Sequence, residues 1–179
     1  VSMDSRQVEV GALFITTAKE QQDRQSHIEQ AISSGAKAIL IDEVAVDEMK
    51  YGSAQIIVLK ELERKVSEIA ARFFGHPSLG QTVIAVTGTN GKTTIAYIMH
   101  QLLKEQEKCS YIGTLGYEMP EQHIIATNTT PGPEVICPLL NRMRSEGVTH
   151  CFIEVSSHAL AQGRVFGLSF DLVVFTQLT

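Results

Sequence analysis

The chain has 179 residues, 44% of them apolar and 20% charged, and a net charge of −5. This is ordinary globular composition, long enough for one large or two small domains, and it excludes a broad basic surface for nucleic acid. Its three cysteines, Cys109, Cys137 and Cys151, lack metal-type spacing and fit a reducing cytoplasm, and no apolar run approaches the roughly 18 residues needed to span a bilayer.

In chain order, ALFI (12–15) reads as a strand and HIEQAISSG as a short helix ending at Gly35. KAILI (37–41) and QIIVL (55–59) read as strands. ELERKVSEIAARFF (61–74) reads as a helix, with Leu62, Val66, Ile69, Ala70 and Phe73 on one face. Helices between short β-branched runs predict an α/β layer with parallel pairing. GHPSLGQ (75–81), with two Gly and a Pro, is the expected domain boundary. The short runs DSR (4–6) and EQQD (20–23) read on their own as a turn or salt bridge and a solvated stretch.

The most informative run is TGTNGKTT, Thr87 to Thr94. It follows the apolar strand TVIAV (82–86) and opens the helix IAYIMHQLL, in which Ile95, Ile98, Met99, Leu102 and Leu103 are spaced as one buried face. Strand, glycine turn, Lys plus hydroxyl, then helix is the layout that holds a nucleotide triphosphate. Gly88 and Gly91 let the backbone turn with N–H groups toward phosphate oxygens, and the helix N-terminus adds partial positive charge. Lys92 can reach the β/γ-phosphates, and Thr93 can offer its hydroxyl to Mg²⁺. The pattern is a variant, since Val86 stands where G-x-x-x-x-G-K-[ST] begins.

A doubly wound pattern follows. CSYIGTLGY (109–117) reads as strand and turn. Val135, Ile136, Leu139, Leu140 and Met143 form a helix face, with Pro138 in or near its first turn. THCFIEV (149–155) is an apolar strand, SSHALAQGR (156–164) a helix start and FDLVVFT (170–176) another strand. Glu154 ends the first of these strands, where open α/β sheets bind ligands, and can hold Mg²⁺ opposite Thr93. Beyond it, Arg164 can clamp a carboxylate or phosphate, and Ser156 and Gln162 can bond an amide or sugar. One of Ser156 and Ser157 is expected as a helix N-cap, and His158 as a packed residue. Asn128, Thr129 and Thr130 lie in the polar hinge ATNTTPG.

Taken together, VTGTNGKTT, IGTLGY, TNTTPG and EVSSHALAQGRV, with DSR and VGALFI before them, resemble the Mur ligase family along almost the whole chain. The closest branch is the one that adds the third residue of the peptidoglycan stem peptide. The resemblance implies a small N-terminal α/β uridine-binding domain (1–78) and a central P-loop ATP-binding domain (79–179) with a mostly parallel sheet, incomplete here and without a C-terminal domain. It implies an ATP-dependent amide ligase of the cytoplasm, a monomer that joins a diamino acid (meso-diaminopimelate or L-lysine) to UDP-N-acetylmuramoyl-L-alanyl-D-glutamate through an acyl phosphate. Neither nucleic acid nor membrane is an expected partner.

By the same resemblance ATP sits on Gly88, Thr89, Asn90, Gly91, Lys92, Thr93 and Thr94, with Lys92 and Glu154 catalytic and Mg²⁺ shared by Thr93 and Glu154. The muramoyl-dipeptide meets Asn128, Thr129, Thr130, Ser156, Gln162 and Arg164. The uracil–ribose end meets Met3, Ser5, Glu20, Gln21 and Gln22. The family's carbamylated Lys and second-metal His are expected past Thr179, and a chain stopping inside a strand and its loop reads as a piece of a longer protein, unable by itself to complete the reaction. Two alternatives stand beside this: a relative whose acceptor is folate or a polyamino acid (folylpolyglutamate- or cyanophycin-synthetase-like), and a non-catalytic P-loop regulatory module.

Overall fold

The computed structural model describes residues 1–17, 20–42 and 54–178, with the side chain of Gln21 outside that description. The chain divides into two compact units, Val1–Val66 and Ser67–Thr179.

The first unit is built on three parallel strands, β1 (Leu13–Thr16), β2 (Ala38–Ile41) and β3 (Gln55–Val58), in the order β1-β2-β3. The helix α1 (Gln21–Ser33) lies between β1 and β2 in sequence and buries Ile28 and Ala31 with Phe14, Ile39 and Ile41 of the sheet. Its start is six residues earlier than the HIEQAISSG run suggests, because Glu20 in extended conformation already serves as its N-cap. A single turn of 3-10 helix, Ser5–Gln7, precedes β1 and is capped by the Asp4 side chain.

The helix α2 (Leu62–Phe73) crosses the division at Val66 and Ser67. Its later part belongs to the second unit. Ala70 and Ala71 join that core, and Ser67 Oγ donates to the Arg164 carbonyl and accepts from Gly167 N–H. Phe73, expected on the buried face, is 61% exposed, and Phe74 packs inward instead. The Gly75–Gln81 loop is likewise bound into the second unit. Arg144 donates to the Gly75 carbonyl and Gln81 to those of Pro77 and Leu140, while Ser78 Oγ accepts from Ser169 N–H.

The second unit has a six-stranded sheet in the order β7-β6-β5-β8-β4-β9. Four strands are parallel: β4 (Thr82–Thr87), β5 (Cys109–Gly113), β8 (His150–Glu154) and β9 (Leu172–Phe175). The strands β6 (Gly116–Met119) and β7 (Gln122–Ile124) extend the sheet antiparallel as a meander that the sequence reading did not anticipate. Its signal was weak, because β7 is only three residues long and mostly exposed.

Period-two alternation gives the sheet two faces. Ile84, Val86, Tyr111 and Phe152 share one core with α3 (Lys92–Leu103). Val83, Ala85, Ile112, Cys151, Ile153 and Val155 share the other with α4 (Pro133–Ser145), whose Ile136, Leu140 and Met143 are fully buried. Pro133 starts α4, and Pro138 lies inside it. The buried stripe of α3 is Ala96 and His100, flanked by Ile95, Met99 and Leu103. Ile98 and Leu102, expected to be buried, are 51% and 71% exposed. A small Ala and an aromatic His carry the contact that apolar spacing alone assigned to them.

All three cysteines are free and buried. Burial pushes the Cys137 thiol up to about 12 and raises Cys109 and Cys151 as well. A raised thiol pKa removes the reactive thiolate. At pH 8 the native protein should therefore resist a disulfide reagent for minutes, while in guanidinium chloride three thiols should react at once.

Candidate functional site

β4 runs into the turn 88–91, and α3 begins at Lys92 with Gly91 as its N-cap in the left-handed region. Gly88 has a φ of +133°, and a side chain there would strike the Thr176 hydroxyl and the backbone of Gln177. These residues follow β9 and brace the turn from behind: Thr89 N–H donates to the Gln177 carbonyl at 2.8 Å and Thr176 Oγ1 to the Asn90 carbonyl at 2.6 Å. The Thr89 amide, expected to point at phosphate, is thus engaged by the protein. Lys92 Nζ folds over the turn and donates to the carbonyls of Gly88 (2.8 Å) and Thr89 (3.1 Å). Asn90 and Thr94 are exposed.

Glu154 closes β8, directly beside Val86 in the register. Its parity is that of Phe152, so its side chain lies on the α3 face of the sheet, above Tyr111 and beside the first turn of α3. It has no solvent exposure. A buried carboxylate is tolerated only when fully hydrogen-bonded, and this one is. Oε1 accepts from the Tyr111 hydroxyl and from Thr114 N–H at 2.9 Å. Oε2 accepts from Thr93 Oγ1 at 2.7 Å and from Thr114 Oγ1 at 3.2 Å. Burial, then the bond to Glu154, pushes the Tyr111 phenol well above its usual pKa and keeps it a donor. The sequence expectation that Thr93 and Glu154 meet corresponds to this contact. Tyr111 and Thr114 were missed, although the parity of β5 against β8 signals the first of them.

A second network lies beyond β8. Thr130, buried in the hinge, donates to the Glu154 carbonyl at 2.8 Å and accepts from Ser156 N–H at 3.0 Å. Ser156 caps α5 (Ser157–Ala161) by accepting from Ala159 N–H. Arg164 donates to the Thr130 carbonyl at 2.7 Å and to Gln162 Oε1 at 2.8 Å, and Gln162 pairs with exposed His158. Thr129 Oγ1 lies 3.0 Å from Thr114 Oγ1, which links this loop to Glu154. Asn128 is exposed, its carbonyl accepting from Tyr117. Glu134 in the first turn of α4 was also missed; burial raises its pKa, with Arg164 opposing.

In the first unit, Met3 and Ser5 line a hollow of about 370 Å³ with Asp4, Arg6, His27 and Gln30. Ser5 Oγ donates to Gln30 Oε1 at 2.6 Å. Glu20 and Gln22 are exposed at the start of α1 and do not line it, and the side chain of Gln21 lies outside the described residues. His27 and Gln30 reach it one helical turn apart, a spacing that the sequence reading passed over.

A central parallel strand entering a glycine turn at a helix start, beside an acidic strand end, defines the α/β phosphate-loop nucleotide-binding class. The family model for the Mur ligase middle domain matches residues 86–179, more than half of the sequence, and the chain belongs to the Mur ligase family. It is 38% identical over its full length to a UDP-N-acetylmuramoyl-L-alanyl-D-glutamate–2,6-diaminopimelate ligase of Pseudomonas aeruginosa and 40% to one of Bacteroides fragilis, covering 37% of each. A solved structure of a ligase of that name aligns over 99% of the chain with a TM-score of 0.81 and 30% identity, 36% of that protein being covered. A MurF ligase of Thermotoga maritima in complex with ADP shares the fold (TM-score 0.58, 22% identity, 87% of this chain and 31% of that one). The chain thus spans about a third of the length of these relatives.

Two outcomes test the geometry. A side chain at Gly113 would run into Glu154 Oε1 and the Tyr111 hydroxyl. Gly113→Ala should lower stability to urea by about 1–3 kcal/mol, the usual cost of overpacking. In the first unit, the bidentate Arg6 guanidinium lowers the Asp4 carboxyl to about 2. A lowered folded-state pKa contributes stability above the unfolded value and loses it as pH falls toward 2. NMR titration should place the Asp4 midpoint near 2, and Arg6→Ala should raise it without restoring the usual carboxylate value, because the residue-6 amide and Gln7 still donate to Asp4.

Proposed function

We propose that this chain carries the nucleotide- and precursor-binding parts of an ATP-dependent amide ligase. The ligase joins a diamino acid to UDP-N-acetylmuramoyl-L-alanyl-D-glutamate. The single observation that carries the reading is the 2.7 Å contact between Thr93 and Glu154 at the mouth of the phosphate turn, with Thr130, Ser156, Gln162 and Arg164 networked beside it. The names of the relatives supply the substrate and make 2,6-diaminopimelate the favoured amine.

The donor set fits a hard divalent cation: one carboxylate and hydroxyl oxygens. Mg²⁺ is held in this way, by one or two carboxylates together with substrate phosphates. Thr93 and Glu154 would hold it, and when bound it supplies charge that offsets the repulsion between two anions. Lys92 exchanges its two backbone carbonyls for the β/γ-phosphates, and the helix start adds positive potential.

The chemistry needs no side-chain nucleophile. The terminal carboxylate oxygen of the precursor attacks the γ-phosphorus, the bond to the β-phosphate oxygen breaks, and ADP leaves. The neutral amine then attacks the acyl carbon, phosphate departs with the bonding pair, and the nitrogen releases one proton to phosphate or water to leave the amide. Arg164, Ser156 and Gln162, with Thr129, Thr130 and Asn128, orient the muramoyl-dipeptide. In the first unit, Met3 and Ser5 bind the uracil–ribose end. The second unit carries the ATP site, and no described helix is long and apolar enough to cross a membrane.

Calorimetric titration tests the reading. UDP-muramoyl-dipeptide should bind at least tenfold more tightly than UDP, and folate should not bind. Lys92→Met should weaken ATP by about tenfold or more, the equivalent of about 1.4 kcal/mol. Binding of folate alone would move the chain to another branch of the family, and undiminished ATP affinity in Lys92→Met would sink the phosphate assignment.

A further inference from the structure

The turn of the β5–β6 hairpin reaches Glu154, a contact that neither the phosphate-turn motif nor the acidic strand end implies. Gly113 and Gly116 pair at its end, leaving Thr114 and Leu115 as a two-residue turn. Thr114 is exposed, yet it makes two bonds to the fully buried Glu154, one from its amide and one from its hydroxyl. Tyr111 has no exposure, and its hydroxyl donates to Glu154 Oε1 and accepts, at 3.4 Å, from Leu115 N–H.

The two carboxylate oxygens are therefore unequal. Oε1 is committed to a phenol and a backbone amide, neither of which can turn away. Oε2 meets only hydroxyls, whose protons rotate freely. The oxygens Glu154 Oε2, Thr93 Oγ1 and Thr114 Oγ1 form a triangle with edges of 2.7, 3.2 and 3.5 Å. Adjacent ligands of an octahedral Mg²⁺ at 2.0–2.1 Å stand roughly 2.9 Å apart, so the triangle approximates one face of that octahedron. Thr114 can redirect its proton to Thr129 Oγ1, 3.0 Å away, when its lone pair is needed elsewhere.

We propose that Thr114 is a third cation-facing oxygen beside Thr93 and Glu154, and that Tyr111 is a positioning residue that holds Glu154 so that Oε2 alone faces the cation. Gly113 belongs to the same device, because any side chain there would displace both Glu154 Oε1 and the Tyr111 hydroxyl. The Thr114–Thr129 contact also ties the cation-facing oxygens to the hinge assigned to the precursor. The inference rests on the phosphate-site reading above and adds to it two residues with separable roles.

The test is a titration of Mn²⁺ into the purified protein with ADP, followed by electron paramagnetic resonance, beside ADP binding in EDTA. Outer partners of metal ligands typically change affinity by about 10–100-fold. Tyr111→Phe and Thr114→Val should each weaken Mn²⁺ by about tenfold, Thr114→Ser should stay within about twofold of the native protein, and ADP binding in EDTA should not change. Because Thr114 is exposed, Thr114→Val remains informative if Tyr111→Phe fails to fold. Mn²⁺ affinities within about twofold of native in both variants would overturn the inference and leave the phosphate site standing. A loss in EDTA equal to that with Mn²⁺ would overturn it too, by showing a general structural defect. If the native protein bound ADP equally with and without Mn²⁺, both the inference and the reading beneath it would fall.

Discussion

A carboxylate with no access to water must find its hydrogen-bond donors inside the protein, and the arrangement of the second unit follows from how Glu154 does so. Its donors come from the first turn of α3, from β5 and from the turn after β5. Two segments far from it in sequence, the start of α3 and the end of β5 with its turn, are thereby fixed to the end of β8. Removing one donor would cost about 1–3 kcal/mol, the range for a hydrogen bond to a carboxylate, although each oxygen would keep its second partner. The phosphate turn inherits its position from this network, since the hydroxyl of Thr93 belongs to both.

Strand order explains why the network lies where it does. β4 sits between β8 and β9, while the chain leaving β4 passes through α3 to reach β5 on the far side of β8. The connection leaving β8 runs the other way, to β9. Connections that diverge in this manner open a crevice at the carboxyl ends of the strands. Val86 and Glu154, paired in the register, mark its floor. The polar networks of Thr130, Ser156 and Arg164 stand on the same rim, so the side chains assigned to a precursor and those assigned to phosphate come from strand ends that the topology places together.

Much of this was legible in the sequence because it depends on local chemistry. A strand of β-branched residues, a glycine turn and a lysine at a helix start are all short-range patterns, and the parallel strands of both sheets were recognised from them, while the antiparallel β6–β7 meander was not. Glu154 could be paired with Thr93 because each sits at the end of a regular element. What escaped depends on tertiary partners. The outward turn of Ile98 and Leu102 is set by a sheet that accepts Ala96 and His100 instead. The role of Tyr111 requires knowing that β5 and β8 are neighbours, which no local pattern states. α1 starts early because backbone geometry at Glu20 decides its cap, and the branch to which α2 belongs is decided by Ser67 reaching residues about a hundred positions away.

The bracing of the phosphate turn by Thr176 and Gln177 bears on how the protein matures. The bond from Thr176 to Asn90 spans 86 residues, among the longest connections in the unit. Contacts of such separation close late, after the loop-closure entropy of the intervening chain has been met. On the ribosome the glycine turn emerges well before its brace exists. A nascent chain can therefore have β4 and α3 in place and still lack a rigid cradle, so that ligand recognition comes as a closing event of folding rather than as a property of the motif itself.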